Sequence, residues 1–158
     1  MNLSNPLADD SAEACQQSYA TALRLLARRE HSELELRHKL SGRHFTDSIV
    51  DTVVMQLVEQ GLLSDQRFAE VYVRGRFERG YGPLRIRAEL RERGVSGDLM
   101  EQMLAELSSS WVESAGRQRS KRFGHRFPGD YRERAKQMCF LQRRGFTAEQ
   151  IQAVFGVA

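Results

Sequence analysis

Two runs of basic side chains hold most of the chemistry open to this chain. Arg74, Arg76, Arg79, Arg85, Arg87 and Arg91 flank a break at Gly80-Tyr81-Gly82-Pro83. A denser run follows: Arg117, Arg119, Lys121, Arg122 and Arg126, then Arg132, Arg134, Lys136, Arg143 and Arg144. Guanidinium groups at this density suit the holding of phosphate or carboxylate through paired, charge-assisted hydrogen bonds. The net charge of +3 conceals a segregation: residues 66–93 sum to +4 and residues 117–144 to +8, whereas residues 1–65 and 94–116 each sum to −4. In the first run Arg87 and Arg91 lie one helical turn apart, and Glu78, Glu89 and Glu92 can neutralise part of it. In the second only Asp130 and Glu133 oppose ten bases, and such self-repulsion is costly until an anion arrives. Of 24 basic residues 21 are arginine, a bias that bidentate contacts and a G+C-rich genome both produce. These bases are read as attracting phosphate without reading sequence rather than as a base-stacking platform. The acidic stretches suggest complementary contact with a protein partner.

Other chemistries find no support. His31, His38, His44 and His125 lack the spacing of a zinc site and read as surface or partly packed residues. No glycine-rich loop precedes a lysine and a hydroxyl residue, so nucleotide binding is not expected. Asp and Glu are accounted for by caps and ion pairs, and no catalytic, cofactor or metal site emerges. Cys15 and Cys139 are the only cysteines, too few for a scaffold, and a reducing cytoplasm follows. Residues 1–10 lack the basic start and apolar stretch of a signal peptide, and no apolar run is long enough to span a bilayer. The chain reads as a cytoplasmic monomer without cofactor, enzymatic activity or membrane contact.

The elements that must position these bases are legible from a repeat. Phe45-Thr46-Asp47-Ser48-Ile49-Val50, Val95-Ser96-Gly97-Asp98-Leu99-Met100 and Phe146-Thr147-Ala148-Glu149-Gln150-Ile151 recur at intervals of 50 and 51 residues. Each reads as a helix start, with the hydroxyl as N-cap and an apolar staple around it. Leu40, Leu90 and Leu141 each precede the staple by five residues, and Val53, Met103 and Val154 continue the register. Three copies of one helical unit result, and strand signals are missing. The expected architecture is all-α: three tandem three-helix repeats of about 50 residues in an elongated, curved array. Residues 1–17 read as a mobile, irregular leader broken at Asn5-Pro6, with repeats at 18–63, 64–109 and 110–158. The first helix is expected from about Ser18 to Arg29 with Tyr19, Leu23 and Leu26 inward. The second starts at the capping box Ser32 to Glu35, and the third buries Val50, Val53, Val54 and Leu57. Ser64-Asp65 is an N-cap pair, and Pro83 starts a helix carrying Ile86 and Leu90 inward. Met100, Met103, Leu104 and Leu107 form the next core face, and Asp130 with Glu133 is another capping-box candidate. Phe68, Tyr72, Phe77 and Tyr81 read as packing between repeats, with Tyr81 the one open to solvent, and Trp111 buries against the second unit.

Several of these segments are familiar together. Arg28-Arg29-Glu30-His31-Ser32-Glu33-Leu34-Glu35-Leu36 and Gly61-Leu62-Leu63-Ser64-Asp65-Gln66-Arg67-Phe68-Ala69 resemble the first repeat and the following junction of the RecX family of bacterial recombination regulators. Gly80-Tyr81-Gly82-Pro83-Leu84-Arg85-Ile86-Arg87-Ala88-Glu89-Leu90 with Arg93-Gly94-Val95 is similar to that family's most distinctive stretch, and Arg144-Gly145-Phe146 to the end of its third repeat. The resemblance runs from about Ser18 to Gly156. It implies a protein that binds the RecA–single-stranded DNA filament and restrains its ATPase, strand-exchange and co-protease activities. The competing reading is a helix-turn-helix transcriptional regulator. It is disfavoured because the third helices, Thr46–Gln60 and Ser96–Leu107, carry no arginine to reach base edges.

Overall fold

The computed structural model describes residues 6–156 of the chain. These form nine α-helices and no strand: α1 (Pro6–Arg28), α2 (Glu33–Ser41), α3 (Asp47–Glu59), α4 (Asp65–Glu78), α5 (Pro83–Glu92), α6 (Gly97–Ala105), α7 (Trp111–Phe123), α8 (Tyr131–Arg144) and α9 (Ala148–Val154). Two compact units divide after Phe68.

The threefold start signal is built as its residues dictate. Thr46, Ser96 and Thr147 each sit in extended backbone and accept the amide of the residue three positions on, at 3.4, 3.3 and 3.2 Å. That satisfies one amide otherwise left without a partner in the first turn. Thr147 and Gln150 close a full capping box, as do Ser32 and Glu35. Leu40, Leu90 and Leu141 are wholly buried, with Val50, Met100 and Ile151 beside them in the register. One repeat position therefore fills one core position three times.

Several boundaries and faces differ from the sequence reading. The segment from Pro6 to Gln17, expected as irregular, forms the first turns of α1. Proline costs nothing in a first helical turn, where its missing N–H has no partner to lose, and Ala12, Glu13, Ala14 and Gln16 are good helix formers. The remainder of the expected leader, residues 1–5, lies outside the described residues. On α1 the inward line runs through Ser18 and Ala22, while Leu23 is 37% exposed. Tyr19, Leu25 and Leu26 pack at the edge of a core made by Ala22, Leu36, Leu40, Val50, Val53, Val54, Leu57 and Leu63. Small residues on the inward line let α1 approach α3 closely. Asp65 does not cap its own helix; its Oδ1 accepts the Glu33 amide at 2.8 Å, while Ser64 alone caps α4. Asp130 caps α8 through the Glu133 amide at 2.8 Å, but no reciprocal bond completes a box. Leu107 lies beyond the end of α6 and is only half-buried.

Candidate polyanion-binding faces

The glycine-rich break explains how the third repeat is fixed to the second. Gly82 donates its amide to Arg144 O at 2.8 Å, and Leu84 donates to Gly145 O at 2.9 Å. Backbone meets backbone here: a Cβ on Gly82 would lie 2.4 Å from Gly145 C and Phe146 N. Gly145 itself turns left-handed at φ 98°, hard against Arg85. Only residues without a Cβ allow this approach. Arg144 then reaches across, donating to Arg79 O at 2.6 Å, Gly80 O at 3.3 Å and Gln118 Oε1 at 3.2 Å. A cation on the carbonyls just past the end of α4 also complements the negative end of that helix.

Tyr81 sits at the centre of this junction. The guanidiniums of Arg85, Arg144 and Arg76 lie 4.2, 4.3 and 5.1 Å from its ring centroid. It is half-buried, so the expectation of an open side chain is only partly met. Glu89 holds two of the same arginines, at 2.9 Å from Arg76 and 3.2 Å from Arg85, and accepts the Tyr72 hydroxyl at 2.8 Å. Burial alone would raise the Glu89 pKa, but the bonds from Tyr72 and Arg85 and the charge of Arg76 outweigh it and hold the carboxyl below its usual range. Nearby, Phe77 meets Trp111 edge-to-face at 5.4 Å, so Trp111 does pack on the second repeat.

The candidate basic residues therefore divide by role. Arg76, Arg85 and Arg144 build the junction. Arg119 is interior, at 1% exposure, against the expectation of a surface contact. It lies 4.0 Å from the Phe127 centroid and donates to Gln137 Oε1, His125 O and Arg126 O at 3.1, 3.2 and 3.4 Å. A side chain spent on carbonyls inside a repeat cannot meet an incoming phosphate. Arg87 grips Glu101 with two bonds of 2.7 and 3.1 Å, and that hydrogen bonding lowers the Glu101 pKa. Arg134 is half-buried over Phe155.

The rest face solvent. Arg74, Arg79, Arg91, Arg117, Lys121, Arg122, Arg126, Arg132 and Arg143 are exposed and carry no ion pair among the described residues. Lys136 is exposed and lies 3.9 Å from Glu133, a pairing of little worth in water. The third repeat gathers these cations around two clefts. One, of about 710 Å³, is lined by Arg117, Lys121 and His125 with Phe77, Glu78 and Ser114. The other, of about 320 Å³ between α7 and α8, is lined by Arg122, Lys136 and Arg143 with Phe123, Cys139 and Phe140. The reading by charge passes over aromatics that stand among these bases, and the fold pairs two of them: Phe123 and Phe140 meet edge-to-face at 5.3 Å.

Two further features escaped the sequence reading. His31 is 1% exposed rather than at the surface. Its Nδ1 lies 3.0 Å from Arg29 O and its Nε2 3.0 Å from Lys39 Nζ, contacts that suit a neutral ring, and burial lowers its pKa. In the first repeat, Arg24, Arg28 and Arg43 line a cleft of about 530 Å³ with Thr21, Leu25 and Ala27. Summed charge hid this cluster inside an acidic block, although the spacing of Arg24 and Arg28 places both on one helix face.

Comparison with known proteins agrees with this architecture repeat by repeat. Residues 19–57, 64–104 and 112–155 match the first, second and third three-helix domains of RecX. The chain belongs to the RecX family. Regulatory protein RecX of Halorhodospira halophila is 49% identical over 137 residues, covering 87% of this chain and 85% of that protein. The RecX of Pseudomonas savastanoi pv. phaseolicola is 43% identical over 131 residues, covering 83% and 84%. The crystal structure of RecX from Lactobacillus salivarius superposes with a TM-score of 0.78 over 92% of this chain and 96% of that one, at 22% identity. A second crystal structure of a RecX regulatory protein gives 0.85 over 99% and 78%. RecX membership carries a regulatory role. Among the described residues no helix is long and apolar enough to cross a membrane.

Proposed function

We propose that this chain is a non-enzymatic, cytoplasmic and monomeric regulator that binds the RecA–single-stranded DNA filament and inhibits its ATPase, strand-exchange and co-protease activities. The observation that carries the reading is the match of all three repeats, in order, to a family of regulatory proteins. The exposed cations of the third repeat support the DNA part of it. Arg117, Lys121, Arg122, Arg132, Lys136 and Arg143 project from α7 and α8, and phosphate is the anion that dense arginine meets most readily. The alternative of a sequence-reading helix-turn-helix is weakened by the third helix of every repeat: α3, α6 and α9 contain no lysine or arginine. Contacts through phosphate position a protein without specifying sequence.

The test is the DNA-dependent ATPase of RecA, measured with this chain at sub-stoichiometric amounts. Inhibition is expected, and it should weaken in the double variant Arg122→Glu/Arg143→Glu with helicity retained. The same variant should flatten the salt dependence of binding to single strands by ~0.7 in log–log slope for each phosphate no longer neutralised. An ATPase unmoved by the parent chain, together with tight binding to one duplex sequence, would replace this reading with the transcriptional one.

A further inference from the structure

The cleft between α7 and α8 has a composition that phosphate attraction alone does not require. Three cations, Arg122, Lys136 and Arg143, surround two phenylalanines, and the space is about 320 Å³. That lies at the small end of ligand sites, room for a flat ring and not for a helix. The tightest arginine–ring contacts of this unit build structure. Arg119 is pressed to 4.0 Å from the Phe127 centroid, and Arg85 and Arg144 to 4.2 and 4.3 Å from Tyr81. Over Phe123 the cations stand off, Arg122 at 5.7 Å and Lys136 at 6.0 Å. Phe123 and Phe140 remain half-buried rather than sealed, and their planes cross at 89°. Edge-to-face contact leaves part of a ring face unstacked.

We propose that this cleft takes one unpaired nucleobase of a single-stranded nucleic acid, stacked on Phe123, while Arg122, Lys136 and Arg143 meet the flanking phosphates. The proposal rests on the reading of the third repeat as a phosphate-binding face and adds a second recognition element to it. Every base has a stackable face, so the site is tolerant of sequence but discriminates strand from duplex, where bases are already stacked and paired. Charge complementarity selects the occupant. An apolar peptide side chain fits Phe123 and Phe140 but leaves Arg122 and Arg143 facing it unanswered, whereas a nucleotide satisfies rings and cations together.

The experiment compares oligothymidylate with an abasic oligonucleotide of the same length and phosphate number, by fluorescence anisotropy on the full chain. Oligothymidylate is expected to bind about five- to a hundredfold more tightly, the range that one stacked base supplies. Phe123→Leu should bring it down to the abasic value and leave abasic binding unchanged. Phe140→Leu, and the rate of Cys139 alkylation in the unaltered chain, give independent readings should Phe123→Leu fail to fold. Cys139 is exposed on the rim of the cleft, so oligothymidylate should slow its modification and the abasic strand should not. Equal affinity for the two strands, with equal effect on Cys139, overturns the base site and leaves the phosphate face standing. Binding of neither strand overturns both.

Discussion

Substitution of Gly82 by alanine tests whether the glycine-rich break is a docking surface or merely a turn. Gly82 has φ −89° and ψ 171°, ordinary extended backbone, so alanine meets no conformational strain there. Its Cβ would nevertheless fall 2.4 Å from two backbone atoms of the α8–α9 turn. Backbone cannot rotate away as a side-chain end can, so the turn must retreat by about 1 Å to reach ordinary contact. That displacement breaks the bonds of 2.8 and 2.9 Å from Gly82 and Leu84. Each is worth about 0.5–1.5 kcal/mol net, and a buried amide left unpaired costs about 1–3 kcal/mol. The expected loss is about 2–5 kcal/mol, read from urea denaturation followed by the single tryptophan, Trp111, which is packed on Phe77. Gly82 is also the N-cap of α5 and makes no side-chain cap bond, so alanine there loses some capping preference as well. Gly82→Ser separates the two effects, since serine restores a capping oxygen but carries the same Cβ. Both variants should be damaged alike. A neutral Gly82→Ser beside a weakened Gly82→Ala would show that capping, not close approach, governs the position.

Other expectations follow from the same geometry. Leu40→Ala, Leu90→Ala and Leu141→Ala should each destabilise by ~2–5 kcal/mol in chemical denaturation, because all three are fully buried; changes within ~0.5 kcal/mol would break the repeat register. Gly75→Ala should stabilise by up to ~1 kcal/mol in thermal melts, since it lies inside α4 with no atom within 4 Å of the added Cβ; a loss would mean the position serves close packing. His31 is held neutral by burial, so the unfolded chain takes up its proton first. Stability should be full above pH ~6.5 and decline as pH falls below it, and a denaturation series should lose this component in His31→Gln. Arg119→Glu should unfold the third repeat by circular dichroism, while Arg122→Glu should leave melting within ~0.5 kcal/mol.

Helix starts and core positions were legible because they rest on local chemistry. A threonine or serine followed at the right distance by an amide to cap, and a leucine at a fixed offset from a staple, need no knowledge of the rest of the chain. Thr46, Ser96 and Thr147 could therefore be placed from residue type alone. The failures at Asp65 and Leu23 have a different origin. Asp65 has the composition of a cap, but the nearest uncapped amide belongs to α2, thirty-two residues earlier. Leu23 fits a helical stripe as well as Ala22 does. The choice between them was made by how closely α1 and α3 approach, which no pattern within α1 records.

The candidate site was legible as a charge and not as a surface. Sequence counts an arginine as one positive charge wherever it stands, but these arginines divide by what lies within reach of the guanidinium. Arg144 faces the carbonyls of Arg79 and Gly80, and Arg119 faces those of His125 and Arg126; both cations are therefore spent on the backbone. Arg122 and Arg143, a few residues away in sequence, face a cleft and solvent. The same limit works in the opposite direction for Arg24, Arg28 and Arg43, whose cluster vanishes into an acidic block when charges are summed along the chain. It also conceals Phe123 and Phe140, seventeen positions apart in sequence and 5.3 Å apart in space. A basic run thus predicts that an anion is near. Only the packing decides whether that anion is a helix end, a glutamate such as Glu89, or a phosphate arriving from outside.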